Sequence, residues 1–258
     1  MEKANFTQLL KDAVNQPGII SKCYSTFHGY SIGNQLLAYS QCIARDIPIG
    51  PIATFKTWKD LGRSVKKGEK AIALVRPVTI AKKDEAGEKT GDAFQLFVLK
   101  NQWFVLGQTE GEDFVNEVAV PTWDKALALE TLGITEESFA IANGNVQGYA
   151  QLNTIAVNPV AALPHKTRFH EIAHVVLGHT KEGLVTDSEF TPRDVREVEA
   201  EGVAYILCAL LGLPGLDESR GYIQNWLQGA DISDKSAQRI FSAANKILEA
   251  GQGKSLEK

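Results

Sequence analysis

Cysteine is scarce in this chain of 258 residues: Cys23, Cys42 and Cys208 are the only three, and no two form a C-x-x-C pair. An odd, scattered set excludes a disulfide framework and a cysteine-based zinc site, and it fits a reducing cytoplasm. Long apolar runs are missing as well. No segment approaches the roughly 20 apolar residues of a membrane helix. The opening MEKANFT carries charge with no apolar core behind it and is expected not to be a signal peptide. There is no internal repeat. What remains is ordinary for a folded protein, 44% hydrophobic and 22% charged residues, which excludes disorder or a coiled coil as the main state. The expectation is a cytoplasmic protein with no membrane partner.

The net charge of −4 conceals an uneven distribution. Residues 1–108 carry a balance of +6 and residues 109–258 one of −10. A basic half joined to an acidic half suggests two domains with different partners, or simply two differently solvated surfaces. The weakly patterned, acidic stretch from Gly107 to Pro121 is where a boundary belongs, giving domains 1–112 and 113–258.

Apolar spacing predicts helices over 5–15, 31–43 and 54–61, the last capped by Thr54 and ended by Gly62. Two β-rich stretches follow, 71–81 and 94–106, separated by a charged loop over 82–91. Beyond the boundary come a helix over 123–132 and a strand over 148–157. Helices follow over 164–178, 192–211, 219–227 and 233–250, with Thr191 and Pro192 in cap and first-turn positions. The fold class is α+β.

Four of the five histidines lie between His165 and His179, and the centre of that cluster is His170-Glu171-Ile172-Ala173-His174, an H-E-x-x-H string. On a helix, residues i and i+4 share a face, so both imidazoles can address one Zn²⁺. Glu171 lies at the rim of that face, where a general base belongs. Hydrogen-bonded histidines without a metal are the alternative. A catalytic zinc site usually takes a third protein ligand. The metzincin pattern would need a Gly and a His where this chain has Leu177 and Thr180. A carboxylate on the next helix is the better candidate. In thermolysin-like gluzincins the ligand Glu is followed four residues later by an acid that hydrogen-bonds a ligand His. Glu197 and Glu201 have that relation, so Glu197 is read as ligand and Glu201 as its supporting acid, the reverse assignment being the alternative. Glu199 points some 200° away from Glu197 on a helix and cannot share its role.

In the basic half, Lys56 to Lys83 holds nine Lys and Arg against Asp60 and Glu69, and aromatic residues cluster before and within it. Such a surface can follow a phosphate backbone and stack single-stranded bases. Core aromatics beside a solvated charged face are the plainer reading. The segment Phe27 to Leu37 (FHGYSIGNQLL), then Gln41, Trp58, Gly62 to Ile72 (GRSVKKGEKAI) and Pro77, resembles the N-terminal domain of ArdC-type antirestriction proteins. Trp103 to Val105 and Gln108 to Gly111 resemble its end, and the H-E-x-x-H half also has a counterpart there. The resemblance implies an N-terminal mixed α/β domain that binds single-stranded DNA. Joined to it would be a mainly helical, gluzincin-like zinc metallopeptidase domain. Such proteins travel on mobile elements and protect incoming DNA from restriction. It further implies Tyr30, Asn34, Gln41, Trp58, Arg63, Lys67 and Lys70 as DNA contacts, Gly68 as a turn residue and Glu69 as a structural acid. The peptidase half would act on an unidentified protein, one associated with DNA being a candidate. Two other readings use the same residues: a DNA-binding module with a structural or vestigial zinc site, and a regulatory cytosolic zinc peptidase without DNA binding.

Overall fold

The computed structural model describes residues 4–27, 29–83, 89–114, 121–141, 146–181, 193–229 and 232–253. The chain opens with α1 (Phe6–Asn15) and α2 (Ile19–Phe27), followed by α3 (Ile32–Ala44). The Pro17-Gly18 break therefore separates two helices. α2, absent from the sequence reading, buries Ile19, Ile20, Cys23, Tyr24 and Phe27 at helical spacing. Next come β1 (Ile52–Thr54), α4 (Phe55–Asp60), β2 (Arg63–Val65), β3 (Ile72–Lys83), β4 (Lys89–Val105), a 3₁₀ turn at Leu106–Gln108 and β5 (Thr109–Gly111). α4 starts as expected, with the Thr54 hydroxyl accepting from the backbone N–H of Thr57. The remaining elements are α5 (Lys125–Leu132), β6 (Thr135–Glu137), β7 (Gly148–Gln151), β8 (Thr154–Val157), α6 (Pro164–Val176), α7 (Arg193–Leu211), α8 (Leu216–Gly229) and α9 (Asp234–Gly251). Thr191 and Pro192, the cap expected for α7, lie outside the described residues.

Two compact units result, and one is discontinuous in sequence. Residues 34–117, with Ala4, form the first; residues 5–33 join 118–258 in the second. The first unit ends close to the boundary expected after residue 112, but α1 and α2 belong with the C-terminal part. The reason is apolar pairing: α1 packs on α8 and α9, and α2 packs on α7.

In the first unit β4 runs between β1 and β3, antiparallel to both, while β2 and β5 form a separate antiparallel pair. Ile72, Leu74, Val105 and Trp58 are buried there. In the second unit a small sheet has the order β6-β8-β7, with β6 parallel and β7 antiparallel to β8. The stretch read as one strand, 148–157, is thus a tight hairpin, turned at Leu152 (φ 52°) and Asn153. No glycine or proline marks the turn at Leu152 and Asn153, so the two strands look continuous in the sequence. Against this sheet stands α6, and behind α6, where it packs on α7 and α9, lies the core, with Phe169 and Ile172, Val198, Val203 and Ile206 of α7, and Ile240 and Ile247 of α9 all buried. Trp123 fastens this layer, donating to the Ile247 carbonyl at 2.9 Å and packing edge-on against Phe169 at 4.8 Å. All three cysteines are buried thiols. Among the described residues no helix is long and apolar enough to cross a membrane.

A candidate metal centre

α6 begins with Pro164 in its first turn, a position where a missing N–H costs nothing. It buries Phe169, Ile172 and Ala173 against the core, which turns His170 and His174 toward a cleft of about 890 Å³. α7 lies alongside and brings Glu197 to the same place. His170 Nε2 and His174 Nε2 are 3.1 Å apart, and a Glu197 carboxylate oxygen lies 3.3 Å from the first and 3.7 Å from the second. Donors held at about 2.0–2.1 Å from one tetrahedral centre lie roughly 3.3–3.4 Å from each other, so the three fit a single divalent ion. The chemistry fits as well. Two imidazoles and a carboxylate are a common donor set for zinc. Among the described residues this is the group of three such donors close enough to hold a metal.

The surrounding charges are arranged in opposition. Glu201 accepts from His170 Nδ1 at 3.0 Å and pairs with Lys166 at 2.6 Å. Burial works against the Glu201 carboxylate, but the bonds from His170 and Lys166 prevail and lower its pKa to about 2. His170 is the mirror case: burial disfavours its charge, yet Glu197 and Glu201 raise it to about 9. The imidazoles of His170 and then His174 hold the Glu197 carboxyl well below the usual range. Glu171 is different. Burial pushes its carboxyl upward, against the pull of His170 and His174.

Glu171 faces β7, the edge strand of the small sheet. Gly148 lies so close that a Cβ there would meet a Glu171 carboxylate oxygen at 2.9 Å and the Thr167 methyl at 2.7 Å. The cleft is thus floored by the metal ligands and walled by the backbone of Gly148, Tyr149 and Ala150. Arg168, on the flank of α6, grips Glu136 of β6 through both carboxylate oxygens, at 2.9 Å and 3.1 Å, and so fixes the helix to the sheet.

Two residues visible in the sequence take roles here that it did not assign to them. His179 contacts His174, and Glu199 contacts His179. Both side chains are buried. Burial, more than the opposing bond to Glu199, lowers the pKa of His179. The legible signal was Gly178, a helix-ending glycine that folds the following residue back on the last turn.

The residues suggested as DNA contacts are placed mostly in the framework of the first unit. Trp58 is 1% exposed and donates to the Phe104 carbonyl at 2.8 Å, so neither ring face is offered to a base. Asn34 exchanges two bonds with the backbone of Val75, and Gln41 does the same with Ala73. Arg63 donates to Thr109 and to the carbonyls of Gly111 and Glu112. Lys67 and Lys70 are exposed, and Tyr30, half-buried, lies in the second unit. Gly68 occupies a turn with φ 91°. Glu69 accepts from the buried Gln108 at 2.7 Å.

Comparison with known proteins finds two family models that match successive stretches of the chain. Residues 4–106 match the family model of the N-terminal domain of the anti-restriction factor ArdC, and residues 131–209 match that of the IrrE N-terminal-like domain of the peptidase M78 group. The fold resembles the metal-free crystal structure of the antirestriction ArdC protein from the R388 plasmid. The TM-score is 0.55 with 23% identity, over 97% of this chain and 98% of that one. The Mn(II)-bound structure of the same protein matches with a TM-score of 0.55 and 22% identity, over 98% of each. An uncharacterized Bacillus anthracis protein is 25% identical over an alignment covering 76% of this chain, and the match spans 41% of that protein's length.

Proposed function

We propose that this chain, which joins an ArdC-type N-terminal domain to an IrrE-like domain, is an antirestriction protein. In this reading its second unit is a zinc-dependent metallopeptidase and its first binds single-stranded DNA. The observation that carries the reading is the meeting of His170, His174 and Glu197 at ligand spacing, with Glu171 beside them against an edge strand. When bound, Zn²⁺ would supply Lewis-acid polarisation of a peptide carbonyl and acidify water in the cleft. His170, His174 and Glu197 would hold it. Glu171, raised by burial, takes a proton from the attacking water and returns it to the leaving amine. β7 offers its open edge to an extended substrate, which would pair with it as an added strand. Glu201, clamped by Lys166, orients His170.

On the DNA side, Lys67 and Lys70 are the candidates left with exposed side chains, with Tyr30 half-exposed. A second reading has its own support. Asn34, Gln41, Trp58 and Arg63 are committed to framework bonds, as in a cytosolic peptidase whose N-terminal domain grips something other than DNA.

The test joins both halves. Unmodified DNA is transferred into restricting cells that hold the wild type or Glu171→Ala, and the purified proteins are titrated onto a labelled single-stranded oligonucleotide across a salt series. The reading expects protection by the wild type, loss of it in Glu171→Ala, and oligonucleotide binding that weakens steeply with salt. Protection undiminished by Glu171→Ala would remove the peptidase from the function. Absence of oligonucleotide binding at low salt would favour the second reading.

A further inference from the structure

We propose that His179 is a positioning residue of the metal centre: the turn that closes α6 carries it back to hold His174 in the one tautomer whose Nε2 can bind a metal. The inference rests on the metal-site reading above and adds to it a residue outside the H-E-x-x-H string.

The backbone delivers this contact. The Leu177 N–H donates to the Ala173 carbonyl at 2.8 Å, and Gly178 then takes a left-handed conformation with φ 77°. Its N–H donates to Val175 at 3.0 Å and that of His179 donates to His174 at 2.9 Å. This pair of bonds is a Schellman motif, in which the second residue past the cap folds over the third from the helix end. That side-chain contact is usually apolar. Here it is made by two imidazoles, with ring centroids 5.1 Å apart and Nδ1 atoms 3.0 Å apart.

Two Nδ1 atoms at hydrogen-bond distance need one proton between them, and the far side of His179 decides which ring carries it. His179 Nε2 lies 2.9 Å from a Glu199 oxygen. An ionised carboxylate only accepts, so Nε2 carries the hydrogen and the Nδ1 of the neutral ring is left as an acceptor. His174 must then donate through its own Nδ1, which leaves its Nε2 lone pair aimed at the group formed with His170 and Glu197. Arg239 steadies the acid from 3.5 Å and donates to the Leu177 carbonyl at 2.8 Å, tying the chain of bonds to the same turn. The side chains of His179 and Glu199 are 4% and 1% exposed, so water does not compete for these bonds. His170 reaches the same state directly, through Glu201. Glu197, Glu199 and Glu201 thus all serve one centre, Glu199 by way of a third histidine.

The test is Zn²⁺ affinity of the full chain, measured by competition with a chromophoric chelator. His179→Phe removes the acceptor and is expected to weaken binding by about 10–100-fold, the usual cost of losing an outer partner of a ligand. His179→Asn places a carbonyl oxygen near the Nδ1 position and is expected to restore most of the affinity. In the zinc-loaded wild type, long-range ¹⁵N–¹H correlations should show the proton on Nδ1 of His174 and on Nε2 of His179. Wild-type affinity in His179→Phe, or a proton on Nδ1 of His179, would overturn the inference and leave the metal site standing. A wild type that takes up no Zn²⁺ would overturn the site and the inference together. Should His179→Phe fail to fold, the wild-type proton positions and the Asn variant still decide the matter.

Discussion

A methyl group at position 148 has nowhere to go. It would press on the Glu171 carboxylate, on Thr167 and, at 3.0 Å, on the carbonyl of Ala156 across the hairpin. Gly148→Ala is therefore expected to cost about 1–3 kcal/mol of stability, as overpacking does. It should also lower hydrolysis of a denatured protein substrate by up to about 10²-fold, the scale expected for a misplacement near 1 Å. Zn²⁺ affinity should change little, because the ligands themselves are not touched. Full hydrolytic activity in this variant would show that Glu171 does not need its present position. At this scale the sequence was most informative where local geometry alone decides. H-E-x-x-H requires only a helix to bring two imidazoles together. His179 required the handedness of a turn as well, and Glu199 required knowing which side of α7 is enclosed. The 200° offset sets Glu199 apart from the group of His170, His174 and Glu197, but it could not reveal a histidine arriving from another segment to meet it.

Between elements, the informative case is α3 against β3. β3 is the outer strand of its sheet, and an outer strand leaves N–H and C=O groups unpaired. α3 supplies them with side chains. Asn34 serves both backbone groups of Val75, Gln41 both groups of Ala73, and Arg45 the carbonyls of Ala71 and Lys70. Polar residues in a family-like motif invite a ligand-binding reading, and single residues cannot separate that from edge capping. The separation depends on which strand is outermost, a property of the whole sheet. Gln41→Leu is expected to cost about 1–3 kcal/mol, the penalty for unpaired backbone groups, and to promote self-association through the opened edge. Urea unfolding and light scattering would register both effects. An unchanged midpoint with no association would mean that the amide contributes nothing to holding the strand.

On the scale of the whole molecule, charge asymmetry and the acidic stretch after Gly107 indicated two parts, and the structure has two. Composition could not show that one part is assembled from two separated stretches, because the evidence is tertiary. Asp234 accepts from the backbone of Phe6 and Thr7 at the start of α1. Ser21 donates to the Ala209 carbonyl and the buried Tyr205 to that of Ala13. Residues 118–258 alone are thus expected to melt well below the full chain and to lose amide protection in α7 and α9. Residues 5–33, joined by a short linker, should recover both. Equal melting temperatures with and without that segment would refute the dependence. The same arrangement has a consequence for biosynthesis. At about 5–20 residues per second, α1 and α2 leave the ribosome roughly 10–40 s before α7 and α9 exist to receive them. Residues 34–117 are contiguous and can fold during that delay. The nascent chain must meanwhile keep two apolar helices from premature association, and the group of His170, His174 and Glu197 can assemble only after α7 has emerged.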